Sequence, residues 1–190
     1  MMALVAVGHN THTKMQATSS DLQSLTASVA ADVKSRVSGS SPSRDDLLRP
    51  AKALCEAFAS ASPPDQILTH LSSNPTAIEH GEPSLLPGLR LGTPYTGLNG
   101  VKSYFSAIAE LFSFETMRFE DWTVDTEVKV ATVRGRAVFT WKSTGQSWDE
   151  NFMYRLAMVD EDEGWKVGTY EVWADTGAAV RAMEGKLRQH

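Results

Sequence analysis

The sequence predicts an α+β fold in which helices come first and an antiparallel sheet comes last. Apolar residues recur about every 3.6 positions before Phe114 and about every second position after it, which indicates helices followed by strands. The predicted strands of the second half are joined by short turns, so neighbours in sequence should pair antiparallel. Because strands and helices do not alternate, a doubly wound nucleotide-binding sheet is disfavoured.

The composition limits the class of protein. The chain has 190 residues, of which 42% are hydrophobic and 22% charged, enough for one globular domain with an extension. A net charge of -5 disfavours nucleic acid as a partner, and no apolar run reaches the length of about 18–20 residues that spans a bilayer. With Cys55 as its single cysteine, the chain has no intramolecular disulfide, and we expect a cytoplasmic protein without a membrane partner.

The chain divides near residue 43. Residues 1–43 contain 13 Ser and Thr and no aromatic residue, so they cannot form a core of their own. We predict a flexible N-terminal extension that carries an amphipathic helix, which would dock on the domain or on a second subunit, and ends in a linker at residues 38–43. Residues 44–190 are predicted to be the domain. The helix of the extension is predicted because its apolar residues recur at helical spacing: Leu22, Leu25, Val29, Val33 and Val37.

Helices and one short strand come first in the domain. Ser43 followed by two aspartates predicts a helix start, because hydroxyl and carboxylate groups satisfy free N–H groups at the positive end of the helix dipole. Pro63 and Pro64 end this helix and open a shorter one. A brief strand is predicted at 76–80, then a loop rich in proline and glycine, and a third helix from about Asn99 to Phe112. The apolar face of the first helix comprises Leu47, Leu48, Ala51, Leu54, Cys55 and Phe58.

The sheet and a last helix follow. Alternation predicts strands at 115–123, 127–142, 147–159 and 165–174, and a terminal helix from Ala178 to Leu187. On the third of these strands, alternation separates one set of residues (Trp148, Glu150, Phe152, Tyr154 and Leu156) from another (Asp149, Asn151, Met153 and Arg155). We expect the first set to face inward because it holds more rings, although a one-residue bulge would exchange the two sets.

Three segments, in this order and spacing, resemble the nuclear transport factor 2-like superfamily, in particular its SnoaL-like polyketide cyclase and ketosteroid isomerase-like branch. They are the strand Ala77-Ile78-Glu79-His80, the loop Tyr95-Thr96-Gly97 that leads into Val101-Lys102-Ser103-Tyr104-Phe105, and the closing run from Gly164 to Asp175. The resemblance covers about residues 45–185. It implies a cone-shaped half-barrel, in which a curved antiparallel sheet wraps around helices and leaves an apolar pocket, and it implies a homodimer.

Aromatic residues are the candidates for binding a small apolar organic ligand in that pocket. Only one of the 16 aromatic residues, Phe58, precedes Tyr95, so most rings come from the sheet and the helix before it. Apolar pockets with a few convergent polar groups are the usual small-molecule sites. The alternative is that most of these rings simply fill the core. The predicted substrate-binding residues are Phe58, Tyr104, Trp122, Phe139, Phe152 and Trp173.

Three polar residues are the candidates for catalysis. His80 falls where the resemblance places a carboxylate base, and an imidazole there could still move a proton, although a hydrogen bond to the neighbouring loop would explain it equally. Glu171 shares a strand face with Trp173, the face that the resemblance turns toward the pocket. It could act as an acid or pair with one of Arg134, Arg136 and Arg155. Tyr154 could donate a hydrogen bond to a carbonyl or enolate, whereas Asp175 more simply caps the last helix.

Two functions remain open from the sequence. The first is a cofactor-independent isomerase, cyclase or dehydratase that acts by acid–base chemistry on a small apolar carbonyl or polyketide-like molecule. The second is a non-catalytic module of the same fold that binds a hydrophobic small molecule. A protein that serves only as a dimerisation module would require a filled pocket. The domain has no metal-ligand pattern, phosphate loop or dinucleotide fingerprint, so we expect neither metal nor cofactor.

Overall fold

The structure is a computed structural model that describes residues 41–187. The predicted extension, including the helix through Leu22 and Val37, lies outside the described residues apart from its last three. No helix in the described part of the chain has the length and hydropathy that crossing a membrane requires. The elements in chain order are α1 (Arg44–Ala59), α2 (Pro64–Leu68), β1 (Leu71–Glu79), β2 (Tyr95–Thr96), α3 (Gly97–Leu111), β3 (Phe112–Asp125), β4 (Val130–Trp141), β5 (Gln146–Glu161), β6 (Gly164–Trp173) and α4 (Thr176–Met183).

The six strands form one curved, unclosed sheet in the order β2-β1-β6-β5-β4-β3. The α+β class and the cone-shaped half-barrel are therefore confirmed. The sheet is mixed and not wholly antiparallel as predicted, because β1 runs parallel to β6. These two strands are far apart in sequence, so no short turn fixes their relative direction, whereas the consecutive strands β3 to β6 all pair antiparallel.

Strand β1 is longer than the predicted segment 76–80. It begins at Leu71, and its pairing with β6 shifts register between Leu71 and Thr76. Pro75 lies within that irregularity and has no N–H group to donate to a ladder. A proline in such a run obscures the alternation that would mark a strand, which explains why the sequence pattern indicated only the second half of β1.

Two irregular positions on β3 accompany the bending of the sheet. The pairing of β3 with β4 shifts register between Glu115 and Arg118 and again between Glu120 and Thr123. Within these intervals Thr116 and Asp121 adopt left-handed backbone conformations, with φ angles of 54° and 58°. Inserted residues of this kind bend a strand and increase its twist. The long β3 strand therefore curves around the helices and does not continue as a flat edge.

Helices α1 and α3 pack against the concave face of the sheet. Leu54 and Val101, one on each helix, have no exposed surface, and neither has Leu156 on β5. Along β5, Phe152, Tyr154 and Leu156 are buried, so the set expected to face inward does so. At the far end Asp175 accepts hydrogen bonds from the N–H groups of Gly177 and Ala178, which confirms that it caps the last helix.

The start of α1 is a reciprocal capping box. The Ser43 side chain accepts a hydrogen bond from the N–H of Asp46, and the Asp46 carboxylate accepts one from the N–H of Ser43. This arrangement satisfies two backbone donors that a helix end otherwise leaves free. It confirms the helix start predicted from Ser43.

Removing this cap should lower stability measurably. We expect Ser43→Ala to reduce the free energy of unfolding by about 1 kcal/mol, because one N–H at the helix end loses its acceptor. Urea unfolding of the full chain measures the change, with Ser41→Ala, an exposed serine two residues before the cap, as the control. Equal stability of the Ser43 variant and the parent would contradict the role of the cap.

Candidate active site

A cavity of about 380 Å³ lies between the concave face of the sheet and the helices. Its wall is mainly apolar and aromatic, with rings from α1, α3 and all of the strands from β3 to β6. The exposed residues in its lining include Ala61 and Pro63 between α1 and α2, Ala109 on α3, and Ser113 on β3. Few polar groups interrupt the wall, and two of them are carboxylates, Glu79 and Glu150, that accept hydrogen bonds from fixed donors.

Glu79 is the carboxylate at the end of β1 that reaches the cavity. The Tyr104 hydroxyl on α3 donates a hydrogen bond of 2.8 Å to its Oε2 atom. Among residues 41–187 no hydrogen bond is made to its Oε1 atom. Burial raises the pKa of Glu79, the Tyr104 hydrogen bond opposes that rise, and the nearby charge of Glu150 adds to it. A carboxyl group with a raised pKa and one free oxygen is suited to moving protons.

Three tyrosines lie together beside Glu79. The ring centroids of Tyr154 and Tyr170 are 4.8 Å apart, and those of Tyr104 and Tyr170 are 6.2 Å apart. Interaction with the Tyr170 hydroxyl lowers the pKa of Tyr104 and of Tyr154, against the larger effect of burial. Burial is the main cause that raises the pKa of all three phenols. The three phenols therefore keep their protons, and Tyr104 already donates a hydrogen bond to Glu79.

Glu150 is a second carboxylate in the cavity wall, on the inner face of β5. It is only 6% exposed. Its Oε2 atom accepts a hydrogen bond of 2.8 Å from the indole nitrogen of Trp148, and its Oε1 atom accepts one of 3.1 Å from the backbone N–H of Asp175. Burial raises the pKa of Glu150, and these two hydrogen bonds oppose the rise. The carboxylate is therefore held in one orientation between two neutral donors.

The structure brings together some of the predicted site residues and separates others. Phe58, Tyr104, Phe139, Phe152 and Tyr154 all line the cavity. The other four predicted residues do not line it. Trp122 packs against the edge of the core instead. The remaining three, His80, Glu171 and Trp173, lie on the outer face of the sheet.

The prediction for the face of β6 is therefore wrong. Tyr170 and Val172 are buried and line the cavity, whereas Glu171 and Trp173 alternate to the opposite side. The same alternation applies to β1, where Ala77 and Glu79 face inward and His80 follows on the outer side. Because side chains alternate with a period of two, an error of one residue in the assignment moves every side chain to the other face.

The outer residues form a cluster of their own. The rings of His80 and Trp173 are stacked, with centroids 4.0 Å apart and an angle of 8° between their planes. One carboxylate oxygen of Glu171 is 3.4 Å from Nε2 of His80, and the other accepts a hydrogen bond from Arg155. The pairing of Glu171 with an arginine, one of the two alternatives from the sequence, is therefore present. The cluster joins β1, β5 and β6 on the face away from the cavity.

Sequence reasoning missed Glu79, Glu150 and Tyr170 as site residues. Glu79 was within the segment that carried the resemblance, and the sequence contains a usable signal. Ala77 and Glu79 are two residues apart and therefore lie on the same face of β1. The small side chain of Ala77 fits a crowded inner face, so Glu79 should face inward with it. Glu150 belonged to the correctly assigned face of β5, but nothing local to it distinguishes a site carboxylate from a structural one.

Two other candidates have no part in this site. Cys55 is buried in the core of α1, and burial strongly raises the pKa of its thiol, consistent with the packing role expected from the sequence. In the range 41–187, no group of three His, Cys, Asp or Glu side chains could hold a metal ion.

The fold of this chain is similar to that of several solved structures. No protein-family model and no curated protein matches the chain. An NTF2-like protein of unknown function from Burkholderia pseudomallei is 16% identical with a TM-score of 0.59, over 72% of this chain and 96% of that one. A Jannaschia sp. CCS1 protein assigned as a SnoaL-like polyketide cyclase is 15% identical with a TM-score of 0.61, over 80% and 100%.

A third solved structure comes from a fungus. BvnE pinacolase from Penicillium brevicompactum is 15% identical with a TM-score of 0.58, over 75% of this chain and 95% of that one. At these identities the similarity concerns the fold, and the residues of the site have to be read from this chain itself. With its curved six-stranded sheet, its helices on the concave face and its internal cavity, the chain has the nuclear transport factor 2-like cone fold.

Proposed function

We propose that the protein is an isomerase, cyclase or dehydratase that acts by acid–base chemistry on a small apolar carbonyl compound in the cavity. The observation that carries this proposal is the hydrogen-bonded pair of Glu79 and Tyr104 in a mainly apolar wall. Aromatic walls with a few fixed polar groups are typical of sites for small organic molecules. Similarity in fold to a SnoaL-like protein and a pinacolase is compatible with such chemistry.

In the proposed reaction Glu79 is the general base. Its free Oε1 atom removes a proton from a carbon next to the substrate carbonyl, while the hydrogen bond from Tyr104 holds the other oxygen in place. The electron pair of the broken C–H bond moves onto the carbonyl oxygen as an enolate. In a β,γ-unsaturated substrate the carbonyl then re-forms, the double bond shifts, and the γ carbon takes the proton from Glu79, which isomerises the substrate. In a β-hydroxy substrate the carbonyl re-forms as the electron pair makes a C=C bond and the β C–O bond breaks, and the leaving hydroxyl takes the proton from Glu79 and departs as water.

Tyr154 is the group proposed to stabilise the enolate oxygen. It lines the cavity, it is 6% exposed, and its hydroxyl lies beside that of Tyr170. A donor that is already oriented in a dry site stabilises developing negative charge more strongly than water does. Its high phenol pKa keeps the proton on Tyr154, so that the group donates a hydrogen bond without transferring the proton.

A solvent-exchange assay tests this function. The full chain is incubated in D₂O with a panel of small enolisable ketones and hydroxyketones, and deuterium at the carbon next to the carbonyl is followed by NMR. We expect saturable, protein-dependent incorporation for at least one compound. Compounds that bind the cavity, as shown by thermal shift, but exchange no faster than in buffer would contradict catalysis.

The second candidate function is that of a non-catalytic carrier. A carrier would bind compounds in the cavity without accelerating their exchange. The apolar wall of the cavity favours it, since burial of apolar surface alone would bind a hydrophobic molecule. Mass spectrometry of the purified protein distinguishes the two functions further. A carrier should retain its ligand unchanged after prolonged incubation, whereas an enzyme should yield a rearranged or dehydrated product.

A further inference from the structure

Glu150 is a buried carboxylate without a positively charged partner in the described part of the chain. No Lys, Arg or His nitrogen within residues 41–187 lies within 4.0 Å of its oxygens. Buried charges in proteins are ordinarily paired, because an isolated ion in an apolar environment is costly. In the described residues no cationic side chain pairs with Glu150, and this carboxyl group lines the cavity, so a cationic group of a bound ligand could supply the pairing.

The two hydrogen bonds of Glu150 define what its oxygens can still accept. Trp148 and the backbone of Asp175 each supply one neutral N–H, one to each oxygen. A carboxylate oxygen has two lone pairs, so each oxygen retains capacity for a further donor. These contacts fix the orientation of the carboxyl group and supply no positive charge to pair with it. Glu79 differs, because its Oε1 atom accepts no hydrogen bond from residues 41–187, whereas both oxygens of Glu150 accept one.

The rings near Glu150 add a second feature that suits a cation. The Trp148 ring lies 5.7 Å from that of Phe139 and 6.0 Å from that of Phe112, and all three line the cavity. The faces of aromatic rings attract organic cations, most strongly where water is excluded. The cationic residue in the described cavity wall is Lys142, an exposed residue whose ammonium group donates to the backbone oxygen of Ala109.

We propose that Glu150 binds a protonated amine on the substrate, so that the preferred ligand is a small aromatic or apolar compound carrying an ammonium group. The inference rests on the proposed function, since it takes the cavity to be the substrate site. It assigns different tasks to the two carboxylates. Glu79 moves the proton, and Glu150 is the specificity-determining residue that selects the charge of the ligand.

Matched probes test the charge preference. The dissociation constants of 4-phenylbutylamine and 4-phenylbutanol are measured by isothermal titration calorimetry on the full chain at neutral pH. The two compounds share the same apolar body and differ in charge at one end. We expect the amine to bind about tenfold more tightly or better, as for a hydrogen-bonded ion pair in a dry site. Equal or weaker binding of the amine overturns the inference without any variant.

Variants then assign the preference to Glu150. Glu150→Gln should reduce the ratio of the two affinities to near one while leaving the affinity for the alcohol unchanged. Asp149→Asn removes the same charge from the neighbouring exposed position on β5, outside the cavity, and should keep the full ratio. A ratio that persists in Glu150→Gln, or that is lost in Glu79→Gln instead, overturns the assignment.

The alcohol separates failure of this inference from failure of the proposed function. If the alcohol binds and the amine has no advantage, the cavity is still a ligand site and only the role of Glu150 is wrong. If neither probe binds while the protein is folded, the cavity does not take such molecules and both proposals fail. Since the comparison in the parent protein needs no substitution, it holds even where Glu150→Gln is unstable.

Discussion

Replacing Glu79 with glutamine is expected to lower the turnover rate by about 10²–10⁴-fold, the usual contribution of a positioned general base. Glutamine has nearly the same shape and can still accept the hydrogen bond from Tyr104, so the cavity should keep its form. It cannot take up a proton at neutral pH. The dissociation constant for the substrate should therefore change little, and the loss should appear in kcat in steady-state kinetics on a compound found by the exchange assay.

The control for this experiment is Glu82→Gln. Glu82 lies three residues further along the chain, is exposed, and does not line the cavity, so its loss should leave turnover unchanged. The assignment based on sequence predicts the opposite pattern, in which His80→Ala abolishes turnover. If His80→Ala is inactive and Glu79→Gln is active, the site described above is wrong.

The pH profile of kcat/KM gives an independent check on Glu79. Because burial raises its pKa above the ordinary value of 4.5, the base form is populated only as the pH rises through that raised pKa. Activity should therefore increase with pH across a limb that lies above 4.5. Tyr104→Phe removes the hydrogen bond that holds the pKa down, so it should move this limb to higher pH.

The second large effect is on stability, at Gly135. We expect Gly135→Ala to reduce the free energy of unfolding by about 3 kcal/mol, at the upper end of the usual cost of overpacking a core. A Cβ atom at this position would lie 1.9 Å from Cε2 of Phe152, its direct partner on the neighbouring strand. The Phe152 ring has little freedom to move, because Phe119, Phe139 and Tyr154 all contact it within centroid distances of 6.1 Å.

Two comparisons isolate the clash. Adding Phe152→Leu removes the ring atoms that overlap, so the double variant should be nearly as stable as Phe152→Leu alone. Gly100→Ala in α3 meets its nearest atom at 3.4 Å and should be neutral or stabilising by up to about 1 kcal/mol. Urea unfolding of each variant measures these values. Additive losses in the double variant would contradict the proposed overlap.

The elements of the fold were predictable because their signals are local. Helix α1 has its cap at Ser43 and its proline stop, and the strands β3 to β6 alternate over long stretches between short turns. Such signals depend on neighbours along the chain, which the sequence contains in full. Where a signal was interrupted, as at Pro75, the prediction was incomplete.

The position of the proposed catalytic groups depended on contacts that are distant in sequence. Glu79 and Tyr104 are 25 residues apart, and Glu150 and Asp175 are also 25 residues apart, so no local pattern links either pair. The face on which a residue lies depends on a register that only tertiary packing determines. The sequence-based assignment was wrong by one residue on both strands. It placed His80 and Glu171 at the cavity, where the structure has Glu79 and Tyr170.

The uneven distribution of aromatic residues shows which features the sequence alone determined and which depended on the tertiary structure. Composition alone determined that a core lined with rings must come from the later part of the chain, because residues 1–43 contain none. The order of the elements, fixed by local periodicity, determined the α+β class. Only the tertiary structure decided which rings enclose a cavity and which carboxylates enter it, because a strand presents two faces with the same spacing and packing against α1 and α3 selects one of them.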